Sequence, residues 1–167
     1  RSAQTKDIGL GSRASLTSTG FSGVAGSVAK NMAAGDLIIN GVQVGSSSAA
    51  SDTLSYSDKS SSAIAKVAAI NAVSAQTGVV ATIGTTQASG SAMTVGSATG
   101  TLTINGVSTS SITTVSDAGL DRASVVTAIN TISAQTGVRA VDTGDINKGV
   151  VLVADDGRNI SLGYGGT

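Results

Sequence analysis

The sequence predicts an α+β protein built from two repeated β-β-α-β-β units, each a small antiparallel sheet with one packed helix. Three observations predict it: an internal duplication, a switch of apolar period inside each copy, and turn residues where the period switches. Leu37-Ile38-Ile39-Asn40-Gly41-Val42 returns as Leu102-Thr103-Ile104-Asn105-Gly106-Val107, with five of six positions identical. Ile70-Asn71-Ala72-Val73-Ser74-Ala75-Gln76-Thr77-Gly78-Val79 returns as Ile129-Asn130-Thr131-Ile132-Ser133-Ala134-Gln135-Thr136-Gly137-Val138, with eight of ten identical. The copies are offset by 65 residues in the first block and 59 in the second, so the first copy is six residues longer between the blocks. Its small polar run 45–51 is the expected place for the extra loop.

In chain order, residues 1–34 are glycine-rich, have no counterpart in the duplication, and read as an opening segment of irregular or β character. Residues 35–95 form the first unit and 96–167 the second. Each begins with a hairpin, because Asn-Gly tolerates positive φ and sits between apolar residues. Each continues with a helix whose apolar face is Ile64, Val67, Ile70 and Val73 in one copy and Val125, Val126, Ile129 and Ile132 in the other. Asp58 and Asp121 stand where a cap or first-turn acid favours a helix start, and Gly78 and Gly137 suit the left-handed residue that ends one. Strand-like sequence follows at 79–83 and 138–141. A last hairpin is expected from the run 150–154 to the run 159–162 across Asp155-Asp156-Gly157.

Composition excludes several functions. Aromatic residues are 2% of the 167, with Phe21, Tyr56 and Tyr164 the whole set, so base stacking and sugar platforms have almost nothing to work with. Ten basic residues balance ten acids, all of them aspartate, which leaves no field to draw nucleic acid or an anionic membrane. No apolar run approaches the length of a membrane span. Histidine and cysteine are both absent, removing disulfides, thiol nucleophiles and the commonest metal ligand and general base. The chain begins Arg1-Ser2-Ala3-Gln4, with neither an initiator methionine nor an apolar leader, and reads as a piece of a longer protein.

Motifs with the pattern of binding or catalytic loops lack their context. Gly9-Leu10-Gly11-Ser12-Arg13-Ala14 fits a loose phosphate loop without the strand before it or the helix after it. Ser27-Val28-Ala29-Lys30 matches the serine acyl-enzyme signature, but neither Ser-Asp-Asn nor Lys-Thr-Gly accompanies it. Asp145-Ile146-Asn147-Lys148-Gly149, with Asp156 further on, resembles part of a calcium loop but has glycine at the fifth position and Val150 where the turn glycine belongs. Asn159-Ile160-Ser161 is a glycosylation triplet. Asp155 and Asp156 with Asp142 are the candidate carboxylate cluster, and a glycosidase cleft would need aromatic walls as well. No catalytic, cofactor-binding or metal residue is assigned, no cofactor is expected, and the expectation is a non-enzyme.

Ile-Asn-Gly-Val on a strand, a helix carrying Ala-Ile-Asn, then Thr-Gly-Val and finally Asp156-Gly157-Arg158-Asn159-Ile160 resembles the "IN" repeat in the variable outer region of bacterial flagellins. The resemblance covers residues 35–83 and 100–162, and the first copy departs from it by lacking an Asp-Gly-Arg-Asn segment after its helix. It implies an extracellular location on the flagellar filament surface and a structural role in motility. The partners implied are other flagellin subunits, through coiled-coil regions outside this chain, with host receptors, antibodies and O-linked glycans as surface partners, and neither nucleic acid nor membrane. The same repeat occurs in flagellar cap and hook-associated proteins, which are the near alternatives. An adhesin-like glycan-binding module is the alternative from another class.

Overall fold

The computed structural model describes residues 22–24 and 30–166, and these form a mixed α/β protein. Strands β1 (Ser22–Val24), β2 (Ile38–Ile39) and β3 (Val42–Gln43) precede helices α1 (Ala63–Asn71) and α2 (Ser74–Thr77). Then come β4 (Thr86–Ala88), β5 (Thr99–Ile104), β6 (Val107–Ser108) and β7 (Ile112–Thr113). Helices α3 (Ala118–Thr131) and α4 (Ser133–Thr136) lead to β8 (Arg139–Asp142), β9 (Val150–Ala154) and β10 (Ile160–Gly166).

The local signals behave as expected at the hairpins and helix ends. Asn40 and Gly41 have φ of 50° and 81°, and Asn105 and Gly106 have 49° and 82°, the two positive values of the tight turn that matches strand twist. Gly78 and Gly137 end α2 and α4 at φ 69° and 70°, each donating its N–H back to the serine that opens the short helix, over 2.8 Å. The helix starts match expectation at Asp121, a first-turn acid of α3, and differ from it at Asp58. Ser62 caps α1 by accepting from the Ala65 N–H, while Asp58 precedes only the 3-10 turn Lys59–Ser61 and caps it with no side-chain bond. Asp117 caps α3 by accepting from Gly119 and Leu120, and Asp121 in the first turn instead accepts from the Val115 N–H at 2.7 Å.

The strands that should follow each helix are formed in one copy only. In the second, β8 pairs antiparallel with β9 and β10 pairs antiparallel with β5. In the first, residues 78–85 join no ladder, and the next strand, β4, pairs with β9 of the second copy. Residues 35–95 therefore close no sheet of their own beyond the two-stranded ribbon β2-β3. The described strands fall into the ribbon β2-β3, the sheet β4-β9-β8, and the sheet β1-β10-β5-β6 with β7 also on β5. The last sheet is mixed, since β1 runs parallel to β10.

The expected hairpin of β9 and β10 does not form. Both edges of β9 are already filled by β4 and β8, so the chain turns at Gly157 (φ 75°) and carries β10 across to the other sheet. The core lies between these sheets and α3. Ile104, Ile129, Ile132, Val138, Ala140, Leu152, Ala154 and Ile160 form its main buried cluster, all from the second copy, while Val44 and Ala65 of the first copy are buried outside that cluster. Their first-copy counterparts are more open: Ile70, Val73 and Ala81 are half-buried and Val79 is 37% exposed, although the sequence around them is nearly the same. Burial of the same side chains thus depends on the strands that cover them rather than on the helix that bears them.

Candidate functional site

The residues that recur in the duplication perform recurring jobs. Asn40 Nδ2 donates to the Thr77 carbonyl at 2.8 Å, and Asn105 Nδ2 to the Thr136 carbonyl at 3.0 Å, so each hairpin turn is clamped to the end of its own helix. Asn71 exchanges two bonds with Ala81, accepting its N–H at 2.8 Å and donating to its carbonyl at 3.0 Å; Asn130 does the same with Ala140 at 2.8 and 3.1 Å. An asparagine amide presents a donor and an acceptor side by side, so it can replace a missing strand partner for one peptide unit. Thr77 and Thr136 complete the set by accepting, at Oγ1, the N–H groups of Val79 and Val138, each at 3.1 Å. Sequence reading used the first asparagine of each copy as a turn former and missed both clamps; the signal was present in their recurrence at equivalent positions.

A second cluster ties the copies together. Arg158 lies over Gly137, where a Cβ would sit 2.1 Å from its Cζ, and donates to the Thr136 carbonyl at 3.1 Å and to Asp156. Asn159 is 1% exposed and reaches into the first copy, its N–H donating to Ser55 Oγ at 2.9 Å and its Nδ2 to the carbonyls of Ser57 and Asp58 at 3.1 and 3.0 Å. The strap 52–58 is shaped for this by Asp52, whose Oδ1 accepts the N–H groups of Leu54 and Ser55 at 2.9 Å each. Tyr56 then lies against Gly106, where a Cβ would come within 2.5 Å of the ring. The glycosylation triplet is thereby accounted for as an internal tie, its asparagine buried and both amide hydrogens engaged.

The other candidate residues are dispersed. Asp142 pairs with Arg122 at 2.7 Å, Asp155 with Arg139 at 2.8 Å, and Asp156 with Arg158 at 2.6 Å, so the three carboxylates face three different guanidinium groups. Asp145 folds its own loop, accepting from the Asn147 N–H at 2.9 Å, with Lys148 3.8 Å away. Among the described residues no group of three or more acids could hold a metal ion. The glycine-rich motif 9–14 and residues 27–29 lie outside the described residues, and Lys30 is exposed. A depression of about 640 Å³ between β7 and α3 is lined by residues such as Ile112, Val115, Leu120 and Thr131 and by no charged side chain. No described helix is long and apolar enough to cross a membrane.

Several of these carboxylates titrate below the ordinary value of 3.8. Burial pushes Asp52 up, but hydrogen bonds from the hydroxyls of Ser55 and Ser62 and from the N–H groups of Ser55 and Leu54 more than reverse it. Burial likewise opposes, and Arg158 outweighs, the shift at Asp156. The Gly144 N–H and then Arg122 hold Asp142 down. A carboxyl held lower in the folded state binds fewer protons there than when unfolded, so its contribution is complete above 3.8 and is lost as pH falls through the folded value. Denaturant midpoints measured across pH should therefore stay flat from neutral to about pH 5 and fall steeply below about pH 4. A fall beginning near neutrality would point to a different titrating group.

Compared with family models, with curated proteins and with solved structures, the chain finds no match.

Proposed function

We infer that the chain is an outward-facing, non-catalytic part of a bacterial flagellin, carrying two copies of a β-β-α-β-β repeat of which the first lacks its closing strands. The observation that carries this reading is the pair of asparagine clamps, Asn40 with Asn71 and Asn105 with Asn130, which are the residues the flagellin repeat shares with this chain. They are structural devices, satisfying backbone groups and fixing how helix meets hairpin. The exposed faces support the same reading, since hydroxyl pairs such as Thr99 with Thr113 and Thr103 with Ser108 present a small, polar, uncharged surface. Such a surface suits the outside of an assembly whose contacts lie elsewhere.

Antibodies raised against residues 30–166 should decorate flagellar filaments of the source bacterium along their whole length in immuno-electron microscopy. Label confined to the filament tip or the hook junction would transfer the assignment to a cap or hook-associated protein. Label over the cell body with bare filaments would overturn the flagellar reading and favour an adhesin.

A further inference from the structure

The sequence holds two Asn-Gly pairs, each in the same tetrapeptide: Ile39-Asn40-Gly41-Val42 and Ile104-Asn105-Gly106-Val107. Asn-Gly is the dipeptide most prone to spontaneous deamidation, because glycine offers no side chain to hinder attack by its own amide nitrogen. Identical neighbours give the two sites equal intrinsic reactivity. We propose that Asn40 is a deamidation site of the folded protein and that Asn105 is protected from the same reaction by the strand that covers it.

In the reaction the Gly41 nitrogen, deprotonated by base, attacks Cγ of Asn40. The bond from Cγ to the side-chain nitrogen breaks, ammonia leaves, and a cyclic imide forms. Water then opens the imide at either carbonyl. Cleavage between Cγ and the Gly41 nitrogen gives aspartate; cleavage between the backbone carbonyl and that nitrogen gives isoaspartate, with the chain rerouted through the side chain. One water is consumed and one ammonia released, and no oxidant, metal or enzyme is needed.

Attack requires the turn to open, so the rate follows the opening equilibrium of each hairpin. At Asn105 the opening is opposed on three sides. Its Oδ1 accepts the Ser161 N–H at 2.8 Å, its own N–H donates to the Ser161 carbonyl at 2.9 Å, and β10 runs along β5 with Leu162 opposite Ile104. Tyr56 also lies on Gly106, and Asn105 is 8% exposed. At Asn40 none of these exists among the described residues. The ribbon β2-β3 pairs with no third strand, Gly41 has nothing within 4 Å of its would-be Cβ, and Asn40 is exposed. Its one side-chain bond, from Nδ2 to Thr77, is the bond that conversion to an acid destroys. Deamidation therefore removes a donor and sets a carboxylate against a carbonyl, unfastening the first hairpin from its helix.

The test is incubation of the intact protein at mildly alkaline pH, with proteolysis and mass spectrometry at intervals and isoaspartate scored by its specific methylation. A parallel sample is held in denaturant. In denaturant the two sites should convert at equal rates. In the folded protein, conversion at Asn40 should exceed that at Asn105 by at least about tenfold, equivalent to about 1.4 kcal/mol of opening free energy. Comparable rates at the two sites in the folded protein, or an Asn40 that stays intact while the denatured chain converts, would overturn the proposal. A difference in denaturant as large as in the folded state would also overturn it, since the protection would then not come from the fold.

Discussion

Replacing Ile129 by alanine is expected to lower the unfolding free energy by about 3 kcal/mol, whereas the same change at its repeat counterpart, Ile70, should cost less than about 1 kcal/mol. The two isoleucines stand in near-identical sequence on equivalent helices, so propensity and local contacts cancel in the comparison. What differs is the surroundings. Ile129 is 1% exposed among Ile104, Val138, Leu152 and Ile160, where losing three carbons leaves a cavity the sheets cannot collapse to fill. Ile70 is half-buried and outside that cluster, so its truncation removes partial burial and leaves space open to water. Chemical denaturation of the two variants measures this directly, provided the slope stays unchanged. Equal losses would mean that the first copy has a closed core in solution.

The comparison also shows which parts of the fold were legible in the sequence. Asn-Gly turns and helix-ending glycines depend on a residue's own backbone preference, and both copies obey it at nearly the same angles. The apolar helix faces were legible in part: Ile129 is buried as its period suggested, but Val73 and Ile132 stand just past the ends of α1 and α3, and the buried residue of α1 is Ala65. Legibility ended where partners are chosen between distant segments. The runs 150–154 and 159–162, with Asp155-Asp156-Gly157 between them, have every local mark of a hairpin, yet β9 is satisfied by β4 and β8 and the hairpin is forfeited. Nothing local announces that Thr86-Gln87-Ala88 supplies the strand. The tie at Asn159 was hidden for the same reason: its partners Ser55, Ser57 and Asp58 lie a hundred residues away, and in sequence it is a polar residue at a strand end. For the helix starts, Asp121 stands in the first turn of α3 as the sequence suggested, whereas Asp58 lost to Ser62 because α1 begins one turn later than that acid suggested.

A chain of residues 96–167 alone is expected not to fold cooperatively. That range holds the second copy and every buried member of the cluster around Ile129, and by the repeat pattern in the sequence it is a complete unit. In the structure its ladders and its buried asparagine are completed from outside that range. It would lose β4 from one edge of β9 and β1 from one edge of β10, exposing two ladder edges at once. It would also lose the strap 52–58, leaving the Asn159 N–H and amide without Ser55 Oγ and the two carbonyls that satisfy them. Each buried hydrogen bond left unmade costs about 1–3 kcal/mol, and the sum rivals the 5–15 kcal/mol by which a domain of this size is stable.

The two copies are one interlocked body in which the first supplies the edge strand and strap that complete the second. Urea unfolding of residues 96–167, followed by circular dichroism beside the full chain, tests it most directly. A sloping, non-cooperative signal is expected for the fragment and a sigmoidal transition for the full chain. A fragment that unfolds in a single sharp transition, at a midpoint close to that of the full chain, would contradict it and establish the second copy as an independent domain.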